Sequence, residues 1–294
     1  MRILILGASG MLGHKTFQVL SQMPDWTTFG TIRSERYLLF FPDDLKSRLI
    51  ESIDVLQDRD LELAIERAKP DCILNCVGLV KQVDASSIES QAMAINADLP
   101  RRLAHLGQKH GIRIVHFSTD CVFSGNRGLY SEIDAVDAID LYGKSKSLGE
   151  MVGQPGVVTL RTSIIGPELH VGAGMQPQGL LEWFLAQQNQ CFGYTKAIFS
   201  GFPTVILAQI VRDYVIPNDH LMGVYHVSSA PISKYNLLCE IAKVYGKDIH
   251  IIPDAALVID RSLDSSLFQE KTGFVPENWP EMIKIMHADR GFHV

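Results

Sequence analysis

The chain has no long apolar run, no excess of basic residues and no repeated or low-complexity tract, and each absence excludes a class of protein. No apolar stretch approaches the ~20 residues that a membrane-spanning helix needs. A net charge of −6 argues against a nucleic-acid-binding protein, which usually carries a clustered basic surface. The first strand-like run already begins at residue 2, which leaves no room for a targeting segment. We therefore expect a cytoplasmic protein that binds neither membrane nor nucleic acid.

The five cysteines are too few and too scattered to form a disulfide framework. Cys72 and Cys76 share one apolar run, DCILNCVGLV, but no second pair of Cys or His residues completes a zinc site. We predict that both are small buried hydrophobic residues, and we expect no metal. An odd number of cysteines also suits a reducing compartment.

Short apolar runs alternate with helix-like segments in the N-terminal half. Because strands separated by helices form crossover units, this order predicts an α/β fold with a Rossmann-type, doubly wound parallel sheet. Runs rich in Ile, Val and Leu are typical of strands buried on both faces. The predicted strands are Arg2–Leu6, Trp26–Ile32, Asp71–Val77, Arg113–Ser118 and Val157–Arg161. The predicted helices between them are Lys15–Met23, Asp60–Ala68 and Ala92–Lys109.

The pattern changes after about residue 165. Residues 166–180 contain four glycines and two prolines, which predicts a loop that opens a second region. We expect an NAD(P)-binding domain over residues 1–165, with a segment near 200–227 returning to it. Residues 166–294 would form mainly a smaller, substrate-binding region. The predicted helices of this region are Leu180–Gln187, Pro203–Val215 and Lys234–Tyr245.

A glycine-rich segment, ILILGASGMLG, follows the first predicted strand. Three glycines at this spacing permit a tight turn, a close approach of the backbone to a pyrophosphate, and close packing of helix on strand. The helix that follows would offer free amide groups to the phosphates. A strand–helix turn could also use the same glycines for structure alone. The predicted cofactor-binding residues of this segment are Gly7, Ser9, Gly10, Met11, Leu12 and Gly13.

The end of the second predicted strand bears on the choice of cofactor. An NAD-specific site usually presents an Asp or Glu there, whereas this chain offers Arg33 and Ser34, with Arg36 close by. A guanidinium group suits a phosphate dianion through paired N–H donors. We therefore predict NADPH, with NADH as the alternative. Arg33 could instead be a solvated loop charge, since Glu35 lies beside it.

Two further segments carry candidate chemistry. RIVHFSTDCVFSG reads as a strand that ends in two hydroxyl side chains, Ser118 and Thr119, and LYGKSKSLGE contains Tyr142 and Lys146. A spacing of four places Tyr142 and Lys146 on one face of a helix. A phenol with an ammonium group nearby is a usable general acid. Tyr/Lys pairs at this spacing are usually solvent-facing. The combination with the glycine turn on successive crossover units favours oxidoreduction.

The motifs GASGMLG, NCVG, STDCVF and YGKSK, in this order, resemble those of the extended short-chain dehydrogenases. The similarity is closest to the dTDP-4-dehydrorhamnose reductase (RmlD-like) group and covers nearly the whole chain. It extends to INADLPRRLA, LRTSIIG and SGFPTVILAQIV. The resemblance implies an NADPH-dependent reductase of a nucleotide-linked keto-deoxysugar.

The resemblance also implies site residues. Thr119, Tyr142 and Lys146 would be the catalytic triad, with Tyr142 protonating the carbonyl oxygen that receives hydride on its carbon. Asp54 and Val55 match adenine-side contacts, and the role of Asn96 is closer to structural. The remaining implied cofactor contacts, besides Arg33 and Ser34, are Asn75, Val77, Gly78, Ser118, Tyr142, Lys146, Arg161, Thr162 and Ser163.

The chain also departs from the family pattern. Cys121 replaces the usual tyrosine of STDYVF, and we expect this to be a buried exchange without effect on the chemistry. Trp183 or Phe199 could stack on a nucleotide base, although core packing is the favoured interpretation for both. Four alternatives stay open: a reductase or an epimerase of a UDP-linked N-acetylated keto sugar, a non-catalytic NADPH-binding regulatory subunit, and a redox sensor that binds NADPH without turnover. A homodimer is a further expectation.

Overall fold

The structure is a computed structural model that describes residues 1–79, 88–169 and 179–289. The strands are β1 (Arg2–Leu6), β2 (Thr27–Thr31), β3 (Leu49–Ile50), β4 (Cys72–Asn75), β5 (Arg113–Thr119), β6 (Val157–Thr162), β7 (Ile164–Ile165), β8 (Gln190–Tyr194), β9 (Ala197–Phe199), β10 (Phe202–Pro203), β11 (Gly223–His226), β12 (Ile232–Ser233), β13 (His250–Asp254) and β14 (Ile259–Asp260). The α-helices are α1 (Met11–Ser21), α2 (Asp43–Lys46), α3 (Asp58–Ala68), α4 (Ile88–Ala92), α5 (Leu99–His110), α6 (Leu141–Leu148), α7 (Leu180–Ala186), α8 (Thr204–Ile210), α9 (Lys234–Tyr245), α10 (Ser266–Thr272) and α11 (Trp279–Ala288).

Seven strands form one parallel sheet in the order β3-β2-β1-β4-β5-β6-β11. Its first six positions follow the strand order of a dinucleotide-binding Rossmann fold. The predicted fold class is therefore confirmed, and each of the five predicted strands lies in this sheet. The other two strands, β3 and β11, were not among the predicted strands, because β3 has only two residues and β11 has no long apolar run.

The sheet is covered by a hydrophobic core on each face, which explains the continuous apolar run of β1. Side chains alternate between the faces of a strand. Ile3 and Ile5 accordingly pack in the larger core, which includes residues of α1, α8 and α11, while Leu4 and Leu6 pack with residues of α3 and α5. The strands are thus buried on both sides, as the sequence predicted.

Several helices begin, end or continue differently from their predicted bounds. α1 begins at Met11, four residues before the predicted start, because Gly10 caps it directly after the turn. The predicted helix Ala92–Lys109 is a succession of α4, a π-helical segment Met93–Asp98 and α5. A second π-helical segment, Val211–Val215, continues α8. A π turn shifts the helical register without removing the apolar periodicity, so the pattern alone predicts one continuous helix.

The C-terminal part contributes three small sheets beside the main one. β10 pairs with β7, β9 lies between β12 and β14, and β13 pairs with β8. At the end of α11, the carboxylate of Asp289 lies 2.6 Å from the ammonium group of Lys15, a fully buried residue of α1. This ion pair ties α11 to α1. Within the described ranges no helix is long and apolar enough to cross a bilayer. The predicted division into two domains stays a prediction.

Candidate active site

A cavity of about 720 Å³ is lined by residues at or just beyond the ends of β1, β4, β5 and β6. Carboxyl ends of parallel strands meet at one edge of a sheet, which is where ligands bind in such folds. Many predicted site residues meet here. They are Ser9, Gly10, Met11, Leu12, Asn75, Val77, Gly78, Ser118, Thr119, Tyr142, Lys146, Thr162 and Ser163. Predicted residues that do not line the cavity are Gly7, Gly13, Arg33, Ser34, Asp54, Val55, Asn96 and Arg161.

The glycine turn, residues 7–13, is fixed by steric requirements of the backbone. Gly7 has φ +79°, a conformation that favours glycine, and its amide group donates to Thr31 Oγ1 at 3.1 Å. A Cβ at Gly13 would lie 2.0 Å from the Gly7 carbonyl oxygen, so no side chain fits there. A Cβ at Gly10 would have nothing closer than 3.4 Å. Gly7 and Gly13 thus shape the turn, while Gly10 leaves room for a ligand at the N-terminus of α1.

The loop after β2 brings an unpredicted residue to the cavity. Arg33 is exposed two residues beyond the end of β2, and Ser34 is half-buried. Tyr37, in the 3₁₀ turn that follows, lines the cavity. Arg36 donates to the Tyr37 hydroxyl at 2.9 Å and stacks on its ring. Asp54 and Val55 lie in the loop after β3, at the same edge of the sheet, and do not line the cavity.

Asn96 braces the framework of the site and does not line the cavity. Its side-chain oxygen accepts from the Leu79 amide group at 3.0 Å. Its side-chain nitrogen donates to the Leu79 carbonyl oxygen at 3.1 Å and to Ser145 Oγ at 3.0 Å. It therefore ties the loop after β4 to α6. A Cβ at Gly149 would lie 1.9 Å from the Asn96 carbonyl oxygen, so a glycine at the end of α6 permits this close contact.

Close packing of α6 on the turn beyond β5 positions Tyr142. The Asp140 carboxylate caps α6 by accepting from the Gly143 amide at 2.8 Å. A Cβ at Gly143 would lie 2.1 Å from the Cys121 carbonyl oxygen, so the glycine after Tyr142 lets α6 pack on the turn beyond β5. Thr119, the last residue of β5, hydrogen-bonds with Tyr142. Thr119 and Tyr142 both line the cavity.

The acid–base character of Tyr142 and Lys146 is set mainly by burial. Burial raises the pKa of Tyr142 above its usual value of 10, while the hydrogen bond with Thr119 acts in the opposite direction. The phenol is therefore protonated at neutral pH. Burial lowers the pKa of Lys146 from 10.5 to about 8, and its ammonium group donates to the Phe117 carbonyl oxygen at 2.6 Å.

Arg161 lies behind the cavity, although Thr162 and Ser163 beside it line the cavity. Its guanidinium group is buried and forms a two-pronged ion pair with Glu150, at 2.7 and 2.8 Å. The Ser118 hydroxyl donates to the same carboxylate at 2.7 Å. A residue on a buried strand points to one face or the other, and the face of β6 that carries Arg161 is closed by the end of α6.

Three residues differ from their predicted surroundings. Cys121 and Cys76 both line the cavity, so the expectation of purely buried thiols is wrong for both. Cys121 Sγ accepts a hydrogen bond from Arg261 at 3.4 Å. Trp183 is 39% exposed, against the favoured core interpretation, whereas Phe199 is buried with its ring 5.7 Å from that of Trp279.

Several cavity residues were not predicted at all. Asp120 follows Thr119 in the STD motif, and burial raises the pKa of its carboxyl group. Its position directly after a predicted site residue is a signal that could have identified it. Phe117 directly precedes Ser118 and Ile164 directly follows Ser163, so the same signal applies to them. The remaining residues adjoin no predicted site residue, and the fold brings them to the cavity from separate segments. They are Tyr37, Glu168, Leu169, Gly179 and Leu180.

The parallel sheet, the glycine turn and the Tyr/Lys helix at one cavity define a Rossmann-type protein of the extended short-chain dehydrogenase class. The chain belongs to the family described as RmlD substrate binding domain, whose family model matches residues 1–290. The predicted family is therefore confirmed.

Individual relatives agree with this family. The chain is 26% identical over 316 aligned residues to a dTDP-4-dehydrorhamnose reductase of Aggregatibacter actinomycetemcomitans, covering 98% of each chain. It is also 27% identical over 262 residues to methionine adenosyltransferase 2 subunit beta of Danio rerio, covering 86% of this chain and 76% of the relative. Its fold matches the crystal structure of a Bacillus anthracis dTDP-4-dehydrorhamnose reductase in complex with NADP. The TM-score is 0.76 at 20% identity, covering 98% of this chain and 99% of the other.

Proposed function

We propose that this protein is an NADPH-dependent reductase of a nucleotide-linked keto-deoxysugar, with Tyr142 as the proton donor. One observation carries the proposal: Thr119, Tyr142 and Lys146 line the same cavity as the glycine turn. A dinucleotide cofactor with its pyrophosphate at α1 would extend along the strand ends toward these three side chains. The names of the relatives, reductases of dTDP-linked keto sugars, support the substrate class.

The residues around the glycine turn suit such a cofactor. Absence of a side chain at Gly10 leaves the start of α1 open to the cavity, and the first amide groups of a helix have no acceptor within it. The helix dipole adds a partial positive charge at the same place. Arg33, exposed just beyond β2, would bind the 2′-phosphate of NADPH, and the named NADP complex of a relative's structure supports this choice.

NADPH, when bound, supplies the hydride for the substrate carbonyl carbon. Tyr142 is protonated at neutral pH and would donate its proton to the carbonyl oxygen. The Thr119 hydroxyl would hydrogen-bond the same oxygen as negative charge develops on it. The Lys146 ammonium group would stabilise the phenolate that remains.

Turnover of a defined substrate tests this proposal. NADPH oxidation is followed with a panel of dTDP-linked and UDP-linked 4-keto sugars, with NADH run in parallel. We expect turnover with a dTDP-linked keto-deoxysugar, faster with NADPH than with NADH. Turnover of a UDP-linked N-acetylated sugar alone would move the substrate to that class. No turnover of any member, with NADPH still bound, would contradict the proposal.

A second candidate is a non-catalytic NADPH-binding subunit. The observation that favours it is the likeness to methionine adenosyltransferase 2 subunit beta, which by name is one subunit of a larger enzyme. Retention of both Tyr142 and Lys146 at the cavity favours the reductase. Tight NADPH binding without turnover of the panel, together with binding to a methionine adenosyltransferase, would favour the subunit.

A further inference from the structure

A buried cluster of charged and polar side chains lies behind the cavity, where the chain leaves α6 and meets β5, β6 and β11. The Glu150 carboxylate is at its centre, with only 4% of the side chain exposed. It accepts hydrogen bonds from Arg161 at 2.7 and 2.8 Å and from Ser118 at 2.7 Å. Arg161 in turn donates to His226 Nε2 at 3.0 Å.

Further contacts of His226 and Arg161 hold this cluster in place. His226 accepts from Arg161 through Nε2, bonds the Tyr130 carbonyl oxygen through Nδ1, and stands at the end of β11. Burial lowers the pKa of His226 to about 4, so it is neutral at pH 7. The Arg161 guanidinium group also packs on the Phe123 ring. A carboxylate with three donors and a locked partner has one orientation.

Lys146 and Glu150 are hydrogen-bonded to adjacent residues of β5. Its ammonium group donates to the carbonyl oxygen of Phe117, and the next residue along β5, Ser118, donates to Glu150. The two groups thus bond adjacent residues of one buried strand without a direct ion pair between them, and a carboxylate and an ammonium group attract more strongly in such a place than in water.

We propose that Glu150 is a positioning residue that keeps Lys146 charged inside the protein, with Arg161 and Ser118 fixing the carboxylate for that task. This inference rests on the proposed function, in which charged Lys146 stabilises the phenolate of Tyr142. Glu150 itself does not line the cavity, so it acts through Lys146 and not on the substrate.

The other titratable groups that face Lys146 do not supply the missing negative charge. Burial raises the pKa of the Cys76 thiol to about 12, so this side chain is neutral. His116 on β5 is also neutral, because burial and the Lys146 charge hold its pKa well below the usual value. Tyr142 is protonated, and the charged groups that act on the Asp120 carboxyl group beyond β5 are Arg261 and Lys234. Burial lowers the pKa of Lys146 to about 8, and the Glu150 carboxylate opposes this shift.

The test is a direct titration of Lys146 in full-length protein. Lysine labelled with ¹³C at the ε carbon is followed by NMR, and the Lys146 signal is assigned from its loss in Lys146→Arg. Glu150→Gln keeps the shape of the side chain and removes its charge. We expect the Lys146 pKa to fall by roughly one unit or more, while Glu150→Asp retains a value close to that of the wild type. Glu66→Gln, on the exposed face of α3, is the matched control and should change nothing.

Glu150→Gln leaves a buried arginine without its ion pair and could fail to fold. The double variant Glu150→Gln/Arg161→Met removes both charges and keeps the volume filled. Here we expect a smaller fall of the Lys146 pKa, in the same direction. An unchanged Lys146 pKa in the folded single or double variant would overturn the proposal.

The pH profile of kcat/KM separates this inference from the proposed function. If a keto-sugar substrate is turned over, its alkaline limb should move to lower pH by the same amount in Glu150→Gln, with the value at lower pH largely retained. A uniform loss at every pH would indicate a structural role and contradict the inference. If no substrate is turned over, the proposed function fails, while the NMR titration still decides the role of Glu150.

Discussion

The two ends of the cavity are built by different physical means. At the glycine turn, the backbone itself forms the surface, and the positions of Gly7 and Gly13 follow from a positive φ and from a contact that no Cβ permits. At the opposite end, which we call the reaction end, the surface is made by the side chains of Thr119, Tyr142 and Lys146. These side chains depend on hydrogen bonds and buried charges on β5 and on its neighbour β6.

Because the two ends are built differently, substitutions should affect them differently. Both ends use glycine for close packing. Gly13 lets α1 approach the Gly7 carbonyl oxygen, and Gly143 lets α6 approach the Cys121 carbonyl oxygen. Only at the reaction end does the proposed function also require an ammonium group, that of Lys146, to stay charged in a buried place. Substitutions at the glycine turn should therefore cost stability or cofactor affinity, whereas substitutions at the reaction end should alter rate and pH dependence.

The largest expected effect is at the reaction end. Tyr142→Phe removes the proposed proton donor and keeps the ring, so we expect turnover to fall by roughly 10²- to 10⁴-fold with NADPH affinity unchanged. Steady-state kinetics and NADPH fluorescence titration measure the two quantities. Near-normal turnover in this variant would remove Tyr142 from the mechanism.

At the glycine turn, Gly13→Ala and Gly10→Ala form a matched pair. A Cβ at Gly13 meets the Gly7 carbonyl oxygen at 2.0 Å, so we expect the free energy of unfolding to fall by about 3 kcal/mol or more. A Cβ at Gly10 has room, so Gly10→Ala should keep its stability and lose affinity for NADPH. Urea unfolding and cofactor titration are the measurements. Equal stability of the two variants would contradict the steric account.

Lys146 gives a prediction that needs no substrate. Its pKa is about 8 in the folded protein and 10.5 as the ordinary value, so the unfolded chain binds more protons between these two pH values. Wild-type stability should therefore rise relative to Lys146→Met by about 3 kcal/mol as pH increases from 8 to 10.5. Urea unfolding across this window checks it, with Lys144→Met, at an exposed position of α6, as control. The same pH dependence of stability in wild type and Lys146→Met would contradict a lowered pKa of Lys146 in the folded protein.

The smallest expected effect is at Arg33. Loss of a charge-assisted bond to phosphate should weaken NADPH binding by roughly 10- to 100-fold in Arg33→Ala, while NADH binding changes little. Arg59→Ala, at an exposed position of α3, is the control. An equal effect on both cofactors would mean that Arg33 is only a surface charge.

The two ends also differ in how far they could be predicted from sequence. The glycine turn and the Tyr142/Lys146 spacing are local patterns whose physical requirement lies within one strand–helix unit, and the family and the parallel fold that they predict are confirmed. The pairing of Arg161 with Glu150 is not local, because it joins β6 to the end of α6. The approach of Tyr37 to the cavity likewise depends on how the loop after β2 folds. No sequence pattern specifies such contacts.

The central step of the proposed reaction is the transfer of a hydride from NADPH to a nucleotide-linked keto sugar. NADPH carrying deuterium at the transferred position of C4 is incubated with the protein and the substrate that the panel identifies, and the sugar product is analysed by mass spectrometry. We predict that the product carries deuterium on the former carbonyl carbon and that one NADP⁺ forms for each product molecule. A product without deuterium, formed with no net oxidation of NADPH, would contradict the account and identify an epimerase that retains its cofactor.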